Sequence, residues 1–551
     1  MVSRAFHFVY REIKGLHQAA YVLALFAFGS QMLAIVRDRL LAHTFGAGIE
    51  LDLYYTAFRI PDLLFVLFAA VLSVYVLLPF LERSGSMEAK RNLLSQIFTL
   101  FLLVYTTLAM VLAAAAPWYI PHVFPGYADQ ADTLVPLVQI LLLQPLLLGI
   151  SSVCGVVTQM HHRFVLYAIS PLLYNVGIIF GLVALYPLFG LGGLAAGVVL
   201  GAAGHLLIQV PFVRSSECSF IAVFKFDWIQ MRSMISAALP RALTLSLNQL
   251  VFLLFISVAT TLTVGSVSVF QFAYNIQSVP LAIIGMSYSV AAFPTLSHLF
   301  AKRDQAAFNL QLMTALRHIL FWSIPIIGLI VVLRAHIVRV LLGSGEFDWS
   351  DTRLTAAVLA VFVVSLFAQA VQLLFVRAFY AGGKTLIPLY ITLASSTVAV
   401  TTAFVGLWYW QNNPALQSLV ASTLRLDSVP GAEILVLAAA FTFGQVLQII
   451  LLLLVARSSF GVSLRSLNRL IVQCLAAMSA GASAAYITLQ TVVEGVNQGM
   501  FMGIALQGAT AGAVGVGAIC LVYWLLGSSE LQETSNSFRK RLFKTDVIAP
   551  Q

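Results

Sequence analysis

Residues 16–39 read LHQAAYVLALFAFGSQMLAIVRDR, an apolar run of more than twenty residues that ends in the charged triplet Arg37-Asp38-Arg39. A run of about 20 mostly apolar residues is long enough to cross the hydrocarbon core of a bilayer as a helix. The run is too long for a secretory signal peptide, and it lacks a small-residue cleavage site. It therefore predicts a first membrane-spanning helix.

The composition of the whole chain also indicates an integral membrane protein. Of its 551 residues, 60% are hydrophobic and 9% are charged, and the mean hydropathy is +0.95. Soluble domains carry about 25% charged residues, so this inventory cannot cover a water-facing surface. The net charge of +9 does not indicate nucleic-acid binding, because the basic residues lie at the ends of apolar runs.

The same length criterion predicts about fourteen membrane helices. They fall near residues 16–36, 53–81, 92–117, 133–160, 164–187, 191–213, 233–261, 267–297, 312–334, 353–381, 385–410, 432–456, 467–490 and 499–526. With a cytoplasmic N-terminus, 21 of the thirty Lys and Arg residues lie in internal segments, six in external segments and three within helices. This distribution follows the positive-inside rule and places both termini in the cytoplasm.

A weak internal repeat suggests how these helices are organised. Residues 57–60 (Ala-Phe-Arg-Ile) in the second helix are echoed by residues 273–276 (Ala-Tyr-Asn-Ile) in the eighth, and a Pro-x-Leu follows each. Parallel repeats of six helices would form two lobes around a central cavity; chance similarity between apolar helices is the alternative. The predicted division is an N-lobe over 1–213, a cytoplasmic connector over 214–231, a C-lobe over 232–430 with its last helix in 431–465, two extra helices over 466–526, and a cytoplasmic tail over 527–551.

Sequence motifs for catalysis are missing. The chain has no phosphate-cradling loop before a helix, no His-Glu-x-x-His pair and no Gly-x-Ser-x-Gly elbow. The four cysteines are scattered without paired spacing, so neither a disulfide framework nor a metal site is indicated. We therefore predict a non-enzymatic protein that needs no metal and no cofactor.

The unusual residues are the charges around the first two helices. They are Arg37, Asp38, Arg39, Asp52, Arg59 and Asp62. Ionisable residues at membrane depth are costly, and they normally face a bundle interior or a water-filled cavity. From Asp132 onward, no Asp or Glu falls in the middle of a predicted span. Coupling of transport through a carboxylate in the second half is therefore not expected, whereas the membrane potential remains available as a driver.

Two interpretations of these charges stay open. In the first, Arg37 and Arg59 line a hydrated cavity and bind an anion, because a planar guanidinium binds phosphate oxygens in pairs. Asp38 and Asp52 would then hold the arginines in place. In the second, Arg37 and Arg39 lie at the membrane interface and extend toward water. Arg241 in the seventh helix either adds a positive charge to the cavity or anchors the inner end of its helix.

The stretch from residue 37 to residue 61 resembles the amino-terminal signature of the MurJ/MviN family, the lipid II flippases of bacterial peptidoglycan synthesis. The matching residues are Arg37-Asp38-Arg39, Phe45-Gly46-Ala47-Gly48, Asp52 and Ala57-Phe58-Arg59-Ile60-Pro61. Further matches follow at 168–175, 265–267, 293–297 and 377–381. The resemblance covers helices one to about eleven in the same order.

The resemblance implies fourteen helices, with two six-helix lobes across a V-shaped cavity, in a bacterial plasma membrane. It implies alternating access, in which the diphosphate and sugar head group of lipid II enters from the cytoplasm while the lipid tail stays in the bilayer. Membrane lipids and cell-wall synthesis proteins are further implied partners. Arg37 and Asp52 match functional residues of the family, Arg59 matches a basic position and Asp38 an acidic one.

The chain also departs from the family pattern at several charged positions. Gln31 and Asn275 stand where the family usually has arginines, Phe65-Val66 replace an arginine pair, and Ala70 replaces an acidic residue. The cavity should therefore be less cationic than in the family, and each lost charged hydrogen bond costs about 1.5–3 kcal/mol. Two alternatives to lipid II transport stay open: export of another polyprenyl-linked oligosaccharide or amphiphile, and a scaffold that does not transport.

Overall fold

A computed structural model of the protein describes residues 16–427, 429–462, 467–491 and 501–542, and within these residues the secondary structure is helical without a strand. The predicted all-α class is confirmed. The helices are α1 (Leu16–Phe45), α2 (Ile49–Ala57), α3 (Arg59–Val71), α4 (Val74–Arg83), α5 (Met87–Val123), α6 (Ala131–Leu141), α7 (Leu143–Met160), α8 (Phe164–Phe180), α9 (Tyr186–Leu207), α10 (Val210–Ser215), α11 (Trp228–Thr260), α12 (Ser266–Leu281), α13 (Ser287–Ala301), α14 (Gln305–Leu341), α15 (Trp349–Val364), α16 (Leu366–Ala381), α17 (Leu386–Gln411), α18 (Pro414–Leu424), α19 (Ile434–Phe460), α20 (Asn468–Thr491), α21 (Phe501–Leu525) and α22 (Ser529–Leu542). Short 3₁₀ or π segments lie at Pro125–Gln130, Gly181–Leu185 and Ala282–Met286.

The described residues contain eleven helical stretches long and apolar enough to cross a membrane, or twelve if α15 and α16, which meet at a bend of 42°, form one span. The stretch Phe164–Ser215 counts once, although its 52 residues change direction at Gly190, where φ is +57°. Helix α1, with 30 residues, is not among the eleven. When α15 and α16 are counted as one span, these two places account for the difference between twelve and the predicted fourteen, and that exact number stays a prediction.

Contacts divide the chain into two compact units. The first comprises the described residues of Met1–Gln271 and Leu342–Asp351, and the second those of Phe272–Leu341 and Thr352–Gln551. Within the first unit, α3 packs against α11 and α7, and α8 packs against α1 and α9. Within the second, α20 packs against α14 and α21, and α17 packs against α19. The division into two six-helix lobes stays a prediction.

Residues 216–227 of the connector, between α10 and α11, are non-helical, and polar side chains of α5 hold them in place. The N–H of Val223 donates to Thr99 Oγ1 at 2.8 Å, and the N–H of Asp227 donates to Gln96 Oε1 at 2.8 Å. Both acceptor residues are buried. These hydrogen bonds satisfy peptide groups that no helix pairs, which a membrane protein requires of its irregular backbone.

The glycines of α9 allow it to approach α8 very closely. Their spacing, Gly193-x3-Gly197-x3-Gly201, places them on one helix face and predicts tight packing. A Cβ added to Gly197 would lie 2.3 Å from the Cα of Gly181, and one added to Gly201 would lie 2.5 Å from the carbonyl oxygen of Tyr174. The prediction of close helix packing is confirmed.

Helix α22 lies outside the membrane-spanning stretches and packs against the beginning of α14. Arg317 Nε donates to Glu530 Oε1 at 2.6 Å, and the Glu530 residue is 3% exposed. Burial opposes ionisation of Glu530, but hydrogen bonds from its own backbone N–H, Arg317 and Ser528 hold its pKa below the ordinary value. The sequence predicts a cytoplasmic tail at this position but not this helix, because its residues are polar.

Replacing Gly197 with alanine should destabilise the protein. The added methyl group would meet backbone atoms of α8, which cannot move aside as a flexible side chain could. Overpacking of this kind costs about 1–3 kcal/mol. The measurement is thermal unfolding of the purified protein in detergent, and the expected result is a lower midpoint for Gly197→Ala.

The matched control is Gly192→Ala on the same helix, because a Cβ at Gly192 meets no atom within 4 Å. This control should be as stable as the natural protein or slightly more stable, since alanine favours helix over glycine by up to about 1 kcal/mol. Equal midpoints for the two variants would contradict the packing described for α8 and α9.

Candidate functional site

Arg37 near the end of α1 is directed into the first unit by two neighbours. Its Nε and Nη2 donate to Asp38 Oδ1 at 3.0 and 2.8 Å, and its Nη1 donates to Asn175 Oδ1 on α8 at 3.1 Å. Asn175 Nδ2 in turn donates to Ser30 Oγ at 3.2 Å. These contacts favour the interior interpretation of Arg37 over the interfacial one. Asp38 holds Arg37 in place, as the sequence predicts.

Two tyrosine hydroxyl groups interact electrostatically both with this ion pair and with a second carboxylate. Tyr54 on α2 and Tyr174 on α8 both lie within electrostatic range of Arg37 and of Asp62 on α3. The side chain of Arg37 remains 20% exposed, and Asp62 is half-buried. We call Arg37, Asp38, Tyr54, Asp62 and Tyr174 the polar cluster. It combines charged and hydroxyl groups with partial exposure.

Arg59 begins α3 and lies deeper, with 7% exposure. Its Nε donates to the carbonyl oxygen of Tyr55 at 2.9 Å, and its Nη2 donates to Gln271 Oε1 at 3.1 Å. Its guanidinium carbon lies 5.0 Å from the ring centroid of Phe252, within the range of a cation–π interaction. Asp62, one helical turn further along α3, is within electrostatic range of Arg59.

Asp52 on α2 is fully buried and accepts four hydrogen bonds. Tyr127 Oη donates to Oδ2 at 2.7 Å, the N–H of Gly265 donates to Oδ2 at 2.7 Å, and Ser268 donates to Oδ1 from its N–H at 2.7 Å and from its hydroxyl at 2.5 Å. The carboxylate therefore caps the N-terminus of α12, where unpaired N–H groups and the helix dipole favour negative charge. The expectation that Asp52 holds an arginine is wrong, because these four donors occupy its oxygens.

The remaining predicted site residues are half-buried on three different helices. Arg241 is half-buried on α11, about 20 Å along the helix from its first residue, Trp228. Gln31 is half-buried on α1, and within the described ranges its side chain makes no hydrogen bond. Asn275 is half-buried on α12 and belongs to the second unit.

Sequence reasoning missed most of the partners that position the charges. Asn175 and Gly265 fall within the quoted family matches, at 168–175 and 265–267, but no role was assigned to them. Gly265 has φ of +91°, a conformation that favours glycine, so its position before a helix was a usable signal. No pattern in the sequence singles out Tyr127 or Gln271.

Asp52→Asn should lower the free energy of unfolding by about 2–4 kcal/mol, because it breaks a buried network of charge-assisted hydrogen bonds. The asparagine side chain has one acceptor oxygen, so its NH₂ group would face the N–H or O–H donors at the beginning of α12. The measurement is chemical or thermal unfolding in detergent.

The control for this change is Glu50→Gln, two residues earlier on the same helix. Glu50 is exposed and accepts one hydrogen bond from Tyr186 Oη at 2.7 Å. Its replacement should change stability by less than about 1 kcal/mol. If Asp52→Asn proved as stable as Glu50→Gln, the capping role of Asp52 would be refuted.

Comparisons with known proteins identify the relatives of this chain. A family model described as lipid II flippase MurJ matches residues 41–426. A probable lipid II flippase MurJ of Thermotoga maritima is 28% identical over 382 residues, which cover 69% of this chain and 77% of the relative. One of Buchnera aphidicola is 27% identical over 381 residues, covering 66% and 73%.

Solved structures share the fold. A lipid II flippase MurJ in an inward closed conformation superposes with a TM-score of 0.70 at 19% identity, covering 92% of this chain and 99% of that one. An inward-facing multidrug resistance MATE family transporter of the MOP superfamily gives 0.63 at 15% identity, covering 78% and 94%. Because the family model matches well over half of its residues, the chain belongs to the MurJ family, the family whose model is described as lipid II flippase.

Proposed function

We propose that this chain translocates lipid II across the bacterial plasma membrane by alternating access. The observation that carries the proposal is the polar cluster, in which Arg37 is held by protein groups inside a bundle that hydrocarbon surrounds. A charge kept at membrane depth marks a substrate path more often than a structural element. Membership of the MurJ family supports lipid II as the cargo.

Arg37 can contact a phosphate without losing its present partners. A guanidinium has five N–H donors, and three of them are used for Asp38 and Asn175. Within the described residues, one N–H on each terminal nitrogen is left over. One remaining N–H on each terminal nitrogen is what a guanidinium needs to bind two oxygens of one phosphate as a fork. Arg59 would add positive charge beside the sugar-linked phosphate, and Asp38 would keep the Arg37 fork oriented.

The proposal includes the topology that the basic residues predict. Both termini would lie in the cytoplasm, because most Lys and Arg residues then face the inside. The chain would act without enzymatic chemistry, with lipid II and membrane lipids as its ligands. Proteins of cell-wall synthesis would be its neighbours in the membrane.

A second candidate function is export of another polyprenyl-linked oligosaccharide or amphiphile. It is favoured by Gln31 and Asn275, which stand where the family resemblance implies arginines. A cavity with fewer cations would bind a cargo with fewer phosphate charges.

A scaffold that does not transport is the third candidate function, and it predicts that changes at Arg37 and Asp52 have no transport phenotype.

Arg37→Ala should weaken lipid II binding by at least about tenfold, because the loss of a charged hydrogen bond to phosphate costs about 1.5–3 kcal/mol. The measurement is native mass spectrometry of the purified protein titrated with lipid II. Arg37→Lys keeps the charge but loses the fork, so its affinity should fall between those of Arg37→Ala and the natural protein.

The matched control is Arg91→Ala, which removes an exposed arginine near the beginning of α5. Its affinity for lipid II should equal that of the natural protein. Equal binding by Arg37→Ala and Arg91→Ala would eliminate the polar cluster as the head-group site. A preference of the natural protein for a different polyprenyl-linked glycan would favour the second candidate function.

A further inference from the structure

Asp62 is a carboxylate in the middle of a membrane span with no bonding partner. It lies 13 residues into the 35-residue stretch Ile49–Arg83, which is about 20 Å from the beginning of that stretch. Its side chain is half-buried, and within the described residues it makes neither a hydrogen bond nor an ion pair. Asp38 and Asp52, by contrast, are paired with Arg37 and with four donors.

Asp62 belongs to the polar cluster, which also contains a guanidinium and two tyrosine hydroxyl groups. Tyr54 on α2 and Tyr174 on α8 lie within electrostatic range of the carboxylate, and Arg59 is one turn away on the same helix. A charged carboxylate facing hydrocarbon would be far more costly than one facing a bundle interior. Because the side chain is half-buried, its exposed part is where a proton from water would be taken up.

Among the described residues, Arg59 is the opposite charge that lies within electrostatic range of Asp62. Helix α7, which packs on α3, has no charged residue, and α11, which also packs on α3, has Arg232 and Arg241. Because Phe252 of α11 lies at Arg59, Arg241 is about 15 Å closer to the inner end of the helix. The ionisable residues of the other packed helices are Glu50, Asp52, Tyr54 and Tyr55 on α2, Tyr75, Glu82 and Arg83 on α4, and Asp132 on α6.

The charges of the cluster sum to zero when Arg59 is counted with it. Arg37 and Arg59 contribute two positive charges, and Asp38 and Asp62 contribute two negative ones. The diphosphate diester of a lipid-linked glycan brings two further negative charges. Repulsion between a carboxylate and a bound dianion is strong at low dielectric, whereas a neutral carboxyl group has no such repulsion and can donate a hydrogen bond to a phosphate oxygen.

We infer that Asp62 takes up one proton from water when the dianionic head group binds beside it and releases the proton when the head group leaves. The inference rests on the proposed function and deepens it, because it makes proton uptake part of head-group binding. It also places an ionisable coupling group in the first half of the chain, on α3. By linkage, a proton that favours head-group binding is itself bound more tightly in the complex.

The test is the pH dependence of lipid II binding to the full chain in detergent, measured between about pH 6 and about pH 8. The diphosphate diester stays ionised over this range, so it adds no pH dependence of its own. For the natural protein, affinity should fall as pH rises, by up to about tenfold per pH unit, the limit for one proton. Asp62→Asn is nearly isosteric with the neutral acid, so its binding should be independent of pH and at least as tight as natural binding at low pH.

The control is Asp132→Asn, which removes an exposed carboxylate in the first turn of α6 and should show the natural pH dependence. The same pH slope in Asp62→Asn and the natural protein would overturn the inference, as would pH-independent binding by the natural protein. Failure of all these chains to bind lipid II at any pH would instead refute the proposed function. Thermal unfolding of each variant confirms that it is folded.

Discussion

Hydrocarbon offers no partner to a charge, so every ionisable side chain at membrane depth must be paired, hydrogen-bonded or in contact with water. The first unit meets this requirement in three distinct ways. Asp52 accepts four hydrogen bonds, so its carboxylate oxygens have no lone pair left for a ligand. Arg37 is paired but keeps two donors and partial exposure, and Asp62 keeps exposure without a partner. Asp52 is therefore structural, whereas Arg37 and Asp62 keep the free donors or the exposure that ligand binding requires.

The sequence predicts features that depend on near neighbours along the chain. The length of the apolar runs predicts a membrane protein, and the glycine spacing of α9 predicts its close approach to α8. The pairing of Asp38 with Arg37 is predictable because the two residues are adjacent in the sequence. The partners of Asp52 were not predictable in this way, because Gly265 and Ser268 lie more than 200 residues away. Nor did hydropathy reveal α22, since its contacts with α14 use charged side chains.

The family comparison and the geometry place different limits on function. Membership of the MurJ family sets the expected cargo, while the residues at Gln31 and Asn275 leave fewer guanidinium groups than the family resemblance implies. Under the proposed function, each phosphate oxygen would be satisfied by fewer donors, and the orientation of Arg37 by Asp38 and Asn175 would carry more of the binding. A preorganised side chain loses less conformational entropy on binding than a mobile one.

The most direct test of this account is complementation of a bacterial strain depleted of its own lipid II flippase. We expect the natural chain to restore growth and Arg37→Ala to fail at equal expression and equal membrane insertion. Restored growth with Arg37→Ala would contradict the role of the polar cluster, and failure of the natural chain to restore growth would contradict lipid II as its cargo.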